Sequence, residues 1–179
     1  MKKLFISVIL LLLTYAGYSQ HAVPADKVLK EASALAAKEH KNVFIIFHAS
    51  WCGWCHKMDT AMNDAACKPA FEKNYVIRHI TVKEAAEKKN TENPGGMELL
   101  TKYNGDKEGI PFWLVFQPDG KLLADSRMKG TDGALHNIGC PAEPAEIAQF
   151  LEILKASSHM TADELTAIEK RFGEIARHN

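Results

Sequence analysis

Apolar positions change their spacing several times between residue 25 and the C-terminus, and each change marks an element. Over residues 25–40, Val28, Leu29, Ala32, Leu35 and Ala36 recur at helical spacing with Lys and Glu opposite, which predicts an amphipathic helix. Val43-Phe44-Ile45-Ile46-Phe47 follows without polar alternation, the pattern of a strand covered on both faces. A second helix is expected after Cys52, running through Met58 and Met62 toward Cys67, with Pro69 opposing extension. Met58 and Met62 are spaced as packing residues. Tyr75 to Val82 is a second β-rich run. The polar stretch 83–96 reads as a surface insertion, its charged run Lys83 to Lys89 as a solvated face, and Met97 to Tyr103 as one short helix.

Phe112 to Phe116 is expected as a strand, turned by Gln117-Pro118-Asp119-Gly120 into a hairpin partner over Lys121 to Asp125. Residues 143–156 predict a helix bearing Ile147, Phe150, Leu151 and Leu154. A final helix opens with the capping box Thr161-Ala162-Asp163-Glu164 and carries Leu165, Ile168, Phe172 and Ile175 on one stripe. The alternation of helix and strand predicts a three-layer α/β domain.

Composition changes the picture at the N-terminus. Lys2-Lys3, an apolar run from Leu4 to Leu13 broken only by Ser7, and the small residues Ala16 to Ser19 predict a cleavable signal peptide over 1–19. The run is too short to span a bilayer, so no stable membrane insertion is expected after cleavage. The product is expected in the periplasm or outside the cell. The 179 residues carry 22 Lys plus Arg against 22 Asp plus Glu, so no single-sign field is available to hold nucleic acid.

Export decides how the cysteines are read. Four cysteines (Cys52, Cys55, Cys67, Cys140) are too few for a disulfide scaffold in a chain that can bury its own core. Cys52-Gly53-Trp54-Cys55 stands at the join of the buried strand and the second helix. Two cysteines three apart on the first turn bring their sulfurs within bonding reach. The helix N-terminus favours thiolate at the outer one, where a reference pKa of about 8.5 falls toward 7. Cys52 is the expected nucleophile, and Cys55, one turn deeper and more shielded, the expected resolving thiol.

Other readings stay open at this point. Cys52-Gly53-Trp54-Cys55-His56 also satisfies the Cys-x-x-Cys-His pattern of covalent c-type haem attachment. His48, Cys52, Cys55 and His56 could hold a metal, although neighbouring Cys55 and His56 point about 100° apart on a helix. A permanent disulfide is possible, although so small a loop removes little unfolded-state entropy. Trp54 could stand out as a platform or fold over Cys55, and His48 could be structural or catalytic.

The chain resembles the thioredoxin superfamily, and within it exported thioredoxin-like thiol–disulfide oxidoreductases. The residues that carry the likeness are Phe44 to Phe47, Ala49-Ser50-Trp51-Cys52-Gly53-Trp54-Cys55 and Gly109-Ile110-Pro111-Phe112, and the resemblance spans residues 25–157. It implies a thioredoxin-like three-layer sandwich with a central mixed β-sheet, for which residues 20–160 are the expected domain. The last helix lies outside the resemblance and is expected, from its own pattern, as an extra C-terminal helix over 161–179 packed on that domain. The resemblance also implies catalytic Cys52 and Cys55, a cis Pro111 facing them, Ile110 pairing its backbone with an extended substrate, and Trp51, Gly53 and Trp54 on the docking rim. No metal or cofactor is implied. Expected partners are protein thiols and disulfides and a membrane or periplasmic electron donor, with reduction the favoured direction. In that fold Cys67 and Cys140 would lie too far apart to bridge. Three departures stand out: Ile46 occupies the place of the family's buried acid, Gly53-Trp54 replaces the usual intervening pair, and the 83–96 insertion has no counterpart.

Overall fold

A computed structural model describes residues 22–176 of the protein. The expected signal peptide lies outside the described residues. In chain order the elements are α1 (Ala25–Glu39), β1 (Asn42–His48), α2 (Gly53–Met62), α3 (Lys68–Asn74), β2 (Tyr75–Thr81), a 3-10 turn (Ala86–Thr91) and α4 (Gly96–Lys102). Then come β3 (Phe112–Phe116), β4 (Leu122–Asp125), β5 (Arg127–Lys129), β6 (Leu135–Asn137), α5 (Pro144–Ser157) and α6 (Ala162–Gly173).

Four strands form one mixed sheet in the order β2-β1-β3-β4, with β2 parallel to β1 and the other neighbours antiparallel. The unbroken apolar run of β1 now has its reason. Phe44 and Ile46 face a core built with α2, α3, α5 and α6, while Val43, Ile45 and Phe47 face α1 and α4. Alternate side chains point to opposite faces, so a strand buried on both must be apolar throughout. The result is the expected three-layer sandwich. Phe150 of α5 ties one face together, its ring packing against Trp113 at 5.4 Å and Phe172 at 5.2 Å. Through Phe172 the C-terminal helix joins the core. Its capping box is formed: Glu164 donates its N–H to Thr161 Oγ1, and the Thr161 N–H returns to Glu164 Oε2.

Two elements depart from expectation. The second helix stops at Met62 instead of continuing toward Cys67, which takes the capping position before α3. Asp64 interrupts the chain between them, its carboxylate accepting from Ala66 N–H and its carbonyl from Cys67 and Lys68. Pro69 then sits in the first turn of the new helix, where a missing N–H leaves no bond unmade. The second departure is the small hairpin of β5 and β6. Its strands are too short for alternation to show, and only the Asp132-Gly133 turn, with Gly133 at φ +80°, signals it.

Candidate active site

Strand β1 ends at His48, and Ala49-Ser50-Trp51 carries the chain to the mouth of α2. Cys52 takes the capping position, its N–H bonded to the Ala49 carbonyl. Its sulfur accepts the Cys55 N–H at 3.1 Å, one of the first-turn donors that helix geometry leaves without a backbone partner. Cys52 and Cys55 are joined as a disulfide with their Cα atoms 5.3 Å apart. Both are covered: Cys52 is 3 % exposed and Cys55 1 %. The expected contrast in shielding is therefore slight in this oxidised form.

The Ile110–Pro111 peptide is cis and the loop lies against the cysteine pair. Ile110 packs on Ala49, Cys52 and Cys55, and its carbonyl oxygen is 3.4 Å from Cys52 Sγ. A disulfide sulfur carries no hydrogen, so this is a contact that only the reduced thiol can turn into a hydrogen bond. No backbone partner among the described residues engages the Ile110 N–H or carbonyl. The loop is held from behind by Asn137, whose amide donates to the carbonyls of Gly109 (2.8 Å) and Pro111 (3.0 Å). Asn137 Oδ1 accepts from Ser126 Oγ and from Gly139 N–H. Gly139 stands at φ +59°, and a Cβ there would sit 3.4 Å from the Pro111 carbonyl oxygen, so glycine answers both constraints.

Trp51 and Trp54 flank the disulfide, 60 % and 44 % exposed. Trp54 stands outward, not folded over Cys55, with Lys57 Nζ 4.4 Å from its ring centre. Gly53 between them leaves open space where a side chain would be. A groove of about 310 Å³ runs beside Trp54, Ile110 and Pro111 to Cys140 and Glu146. A larger cleft of about 520 Å³ follows β2 between α1, α2 and α3 and touches neither sulfur.

The remaining candidates are dispersed. His56 Nε2 bonds to the Ser50 carbonyl at 3.0 Å, and His48 Nε2 pairs with Thr81 Oγ1 at 3.2 Å, so the two imidazoles do not converge on the sulfurs. Among the described residues no group of three or more His, Cys, Asp or Glu is arranged to hold a metal. Burial pushes the His48 pKa down, and neighbouring His79 adds to it against the partial opposition of Asp59 and Glu84. Cys67 and Cys140 are buried, unbridged thiols.

Sequence reasoning missed how the head of the insertion is used. Lys83 and Glu84 turn inward rather than forming a solvated face. Glu84, 5 % exposed, accepts from Ser50 N–H at 2.6 Å and Ser50 Oγ at 2.9 Å. Burial pushes its carboxyl up, yet the bonds from Ser50, with Lys88 and His48 nearby, outweigh this and hold it below the ordinary glutamate range. Asn137 was missed as well. Neither position carries a local signal, because each acts on residues more than 25 positions away in the chain.

The thioredoxin-like family matches residues 25–118. No curated protein sequence matches the chain significantly. Among solved structures it is similar to a disulphide isomerase from Xylella fastidiosa Temecula1, at 23 % identity and TM-score 0.50, over 88 % of this chain and 95 % of that one. The C-terminal domain of Neisseria meningitidis DsbD in its oxidised form aligns at 22 % identity and TM-score 0.45, over 76 % of this chain and 98 % of that one. A thioredoxin from Thermus thermophilus aligns at 23 % identity and TM-score 0.42, over 75 % and 84 %. At such identities the likeness concerns the fold.

Proposed function

The chain belongs to the thioredoxin-like family, and on that premise we propose that it is an exported thiol–disulfide oxidoreductase that reduces protein disulfides through Cys52 and Cys55. The observation that carries the reading is the Cys52–Cys55 disulfide at the mouth of α2, with the Cys55 N–H aimed at Cys52 Sγ and the Ile110 carbonyl against the same atom.

The cycle balances with no bound cofactor. In the dithiol form the Cys52 thiolate attacks one sulfur of a substrate disulfide, a Cys52–substrate bond forms, and the other substrate sulfur leaves as thiolate and takes a proton. Cys55 then loses its proton and attacks Cys52 Sγ. The second substrate thiolate leaves, and the two electrons gained by the substrate are those lost in forming Cys52–Cys55. A dithiol donor in the membrane or periplasm must restore the pair. With Ile46 in the place of the family's acid, water is the simplest carrier of the Cys55 proton.

The rim fits an extended polypeptide. The Ile110 N–H and carbonyl, which no backbone group among the described residues engages, offer strand-like pairing beside Pro111, and Trp51, Gly53 and Trp54 provide an apolar approach. Export rests on the charged, apolar and small-residue order of residues 1–19, and no helix among the described residues is long and apolar enough to cross a membrane. We assign residues 20–160 to the catalytic domain and 161–179 to a C-terminal extension whose helix α6 packs on it.

Insulin reduction with a dithiol donor tests this reading. Cys52→Ser should abolish turnover, and Cys55→Ser should accumulate mixed disulfides through Cys52. Negligible turnover by the wild-type protein, with both variants binding a partner as it does, would make the chain a binding module instead.

A further inference from the structure

The head of the insertion joins pieces of the site that the strands and helices do not join. Ser50 N–H and Oγ donate to the two oxygens of Glu84, and Lys88 Nζ reaches the same hydroxyl at 3.1 Å. One residue earlier, the Lys83 carbonyl accepts Trp51 Nε1–H at 2.9 Å, although the indole is exposed. The Lys83 ammonium donates to the carbonyls of Asp106 (2.9 Å) and Glu108 (2.5 Å), on the run that leads into Ile110–Pro111. Val82 N–H, bonded to the His48 carbonyl, and Glu92, accepting Glu84 N–H, anchor the dipeptide at both ends.

Lys83 does this at φ +54°. The left-handed region is unfavourable for a lysine, and such strain persists only where the surroundings hold it in place. Glu84 is likewise a carboxylate buried with full partners where an ordinary surface loop would leave it in water.

We infer that Lys83 and Glu84 are positioning residues that hold Trp51 and the approach to Pro111 at a fixed separation across Cys52–Cys55, so that a polypeptide substrate finds both edges in place. The role rests on the disulfide-exchange reading above. A small disulfide, which has no chain to lay along either edge, does not need the bracket. Discrimination in favour of polypeptides then comes from two residues that touch neither reacting sulfur.

The test reads the bracket and its use separately. In 15N-labelled protein, the Trp51 indole N–H should exchange with solvent about tenfold faster in Glu84→Ala and in Lys83→Met, as expected when a hydrogen bond worth about 1.4 kcal/mol is lost. Glu84→Gln keeps an acceptor for Ser50 and should stay within about twofold. The Trp113 indole, bonded to the Gly139 carbonyl inside the core, should be unchanged in all three and reports that each is folded. In the same preparations KM for insulin should rise about tenfold in Glu84→Ala and Lys83→Met at unchanged kcat, while the rate with hydroxyethyl disulfide stays within about twofold. Unaltered Trp51 exchange overturns the bracket, and a parallel loss with both substrates overturns its positioning role. If wild-type protein turns over neither disulfide, the disulfide-exchange reading fails by itself, and indole exchange still decides whether Lys83 and Glu84 hold the rim.

Discussion

The backbone N–H of Cys55 points at Cys52 Sγ across the first turn of α2, 3.1 Å away. A donor held there gains most when the sulfur is charged, because hydrogen bonds to ionised acceptors are stronger than those to neutral ones.

That arrangement sets Cys52 apart from the two thiols outside the pair. Burial, with a smaller contribution from Asp64, pushes Cys67 up to about 11, and burial pushes Cys140 up to about 12. At pH 8 those thiols are roughly one part in 10³ and one part in 10⁴ thiolate. In the reduced protein, iodoacetamide should label Cys52 first and leave Cys67 and Cys140 at least about 100-fold behind. Mass mapping of a timed quench checks the order, and equal labelling of Cys140 would refute it.

Asn137 spends both amide hydrogens on the loop that bears Pro111 and both lone pairs on Ser126 and Gly139. Asn137→Ala should cost about 2 kcal/mol of stability, because carbonyls and a buried hydroxyl lose partners together. Asn137→Asp should be at least as harmful, since it sets a carboxylate oxygen against two carbonyls. Urea midpoints give the cost. Insulin turnover should fall with both variants, and full activity in either would show that the loop keeps its shape without this residue.

The pH dependence of stability has two separable windows. His48 has a folded pKa below its ordinary 6.5, lowered by burial and by His79, with His56 in the same sense and Asp59 and Glu84 against. The unfolded chain therefore binds the extra proton first, and stability is full above pH 6.5 and declines as pH falls from there toward the lower folded value. Glu84 has a folded pKa below its ordinary 4.5, so its contribution is full above pH 4.5 and is lost as pH falls through the lower folded value. Urea unfolding from pH 3 to 8 should show His48→Gln flattening the upper window and Glu84→Gln the lower one. The same slope in wild type and variants would refute both assignments.

Phe172 connects the last helix to the core through Phe150 at 5.2 Å. It is fully buried, so Phe172→Ala should destabilise by about 3–4 kcal/mol. Breaking the partly exposed ion pair that Arg171 of the same helix makes with Asp64, between α2 and α3, should cost about 1 kcal/mol or less. A mild effect at Phe172 would make α6 an appendage and not part of the packed structure.

Much of the architecture was legible in the chain itself. The apolar pattern marked α1, α5 and α6, which are long enough to repeat every third and fourth position, and β1, β2 and β3, which stand out as unbroken apolar or β-rich runs. It failed at Cys67 and at β5 and β6, where the pieces are too short to express a period and an Asx turn or an Asp-Gly pair is the whole local signal. Cys52 and Cys55 were legible for a related reason: their meeting needs only a helix turn between them.

What the sequence by itself determined is therefore local: the layers, the motif at the mouth of a helix, and the boundaries that prolines and capping residues announce. Tertiary structure alone decided that Glu84 lies beneath Ser50, that Lys83 reaches the run toward Pro111, and that Asn137 braces the same loop from the far side. Those contacts join residues 23 to 34 positions apart, and their energy depends on burial and direction, which exist only once the sheet has brought the loops together.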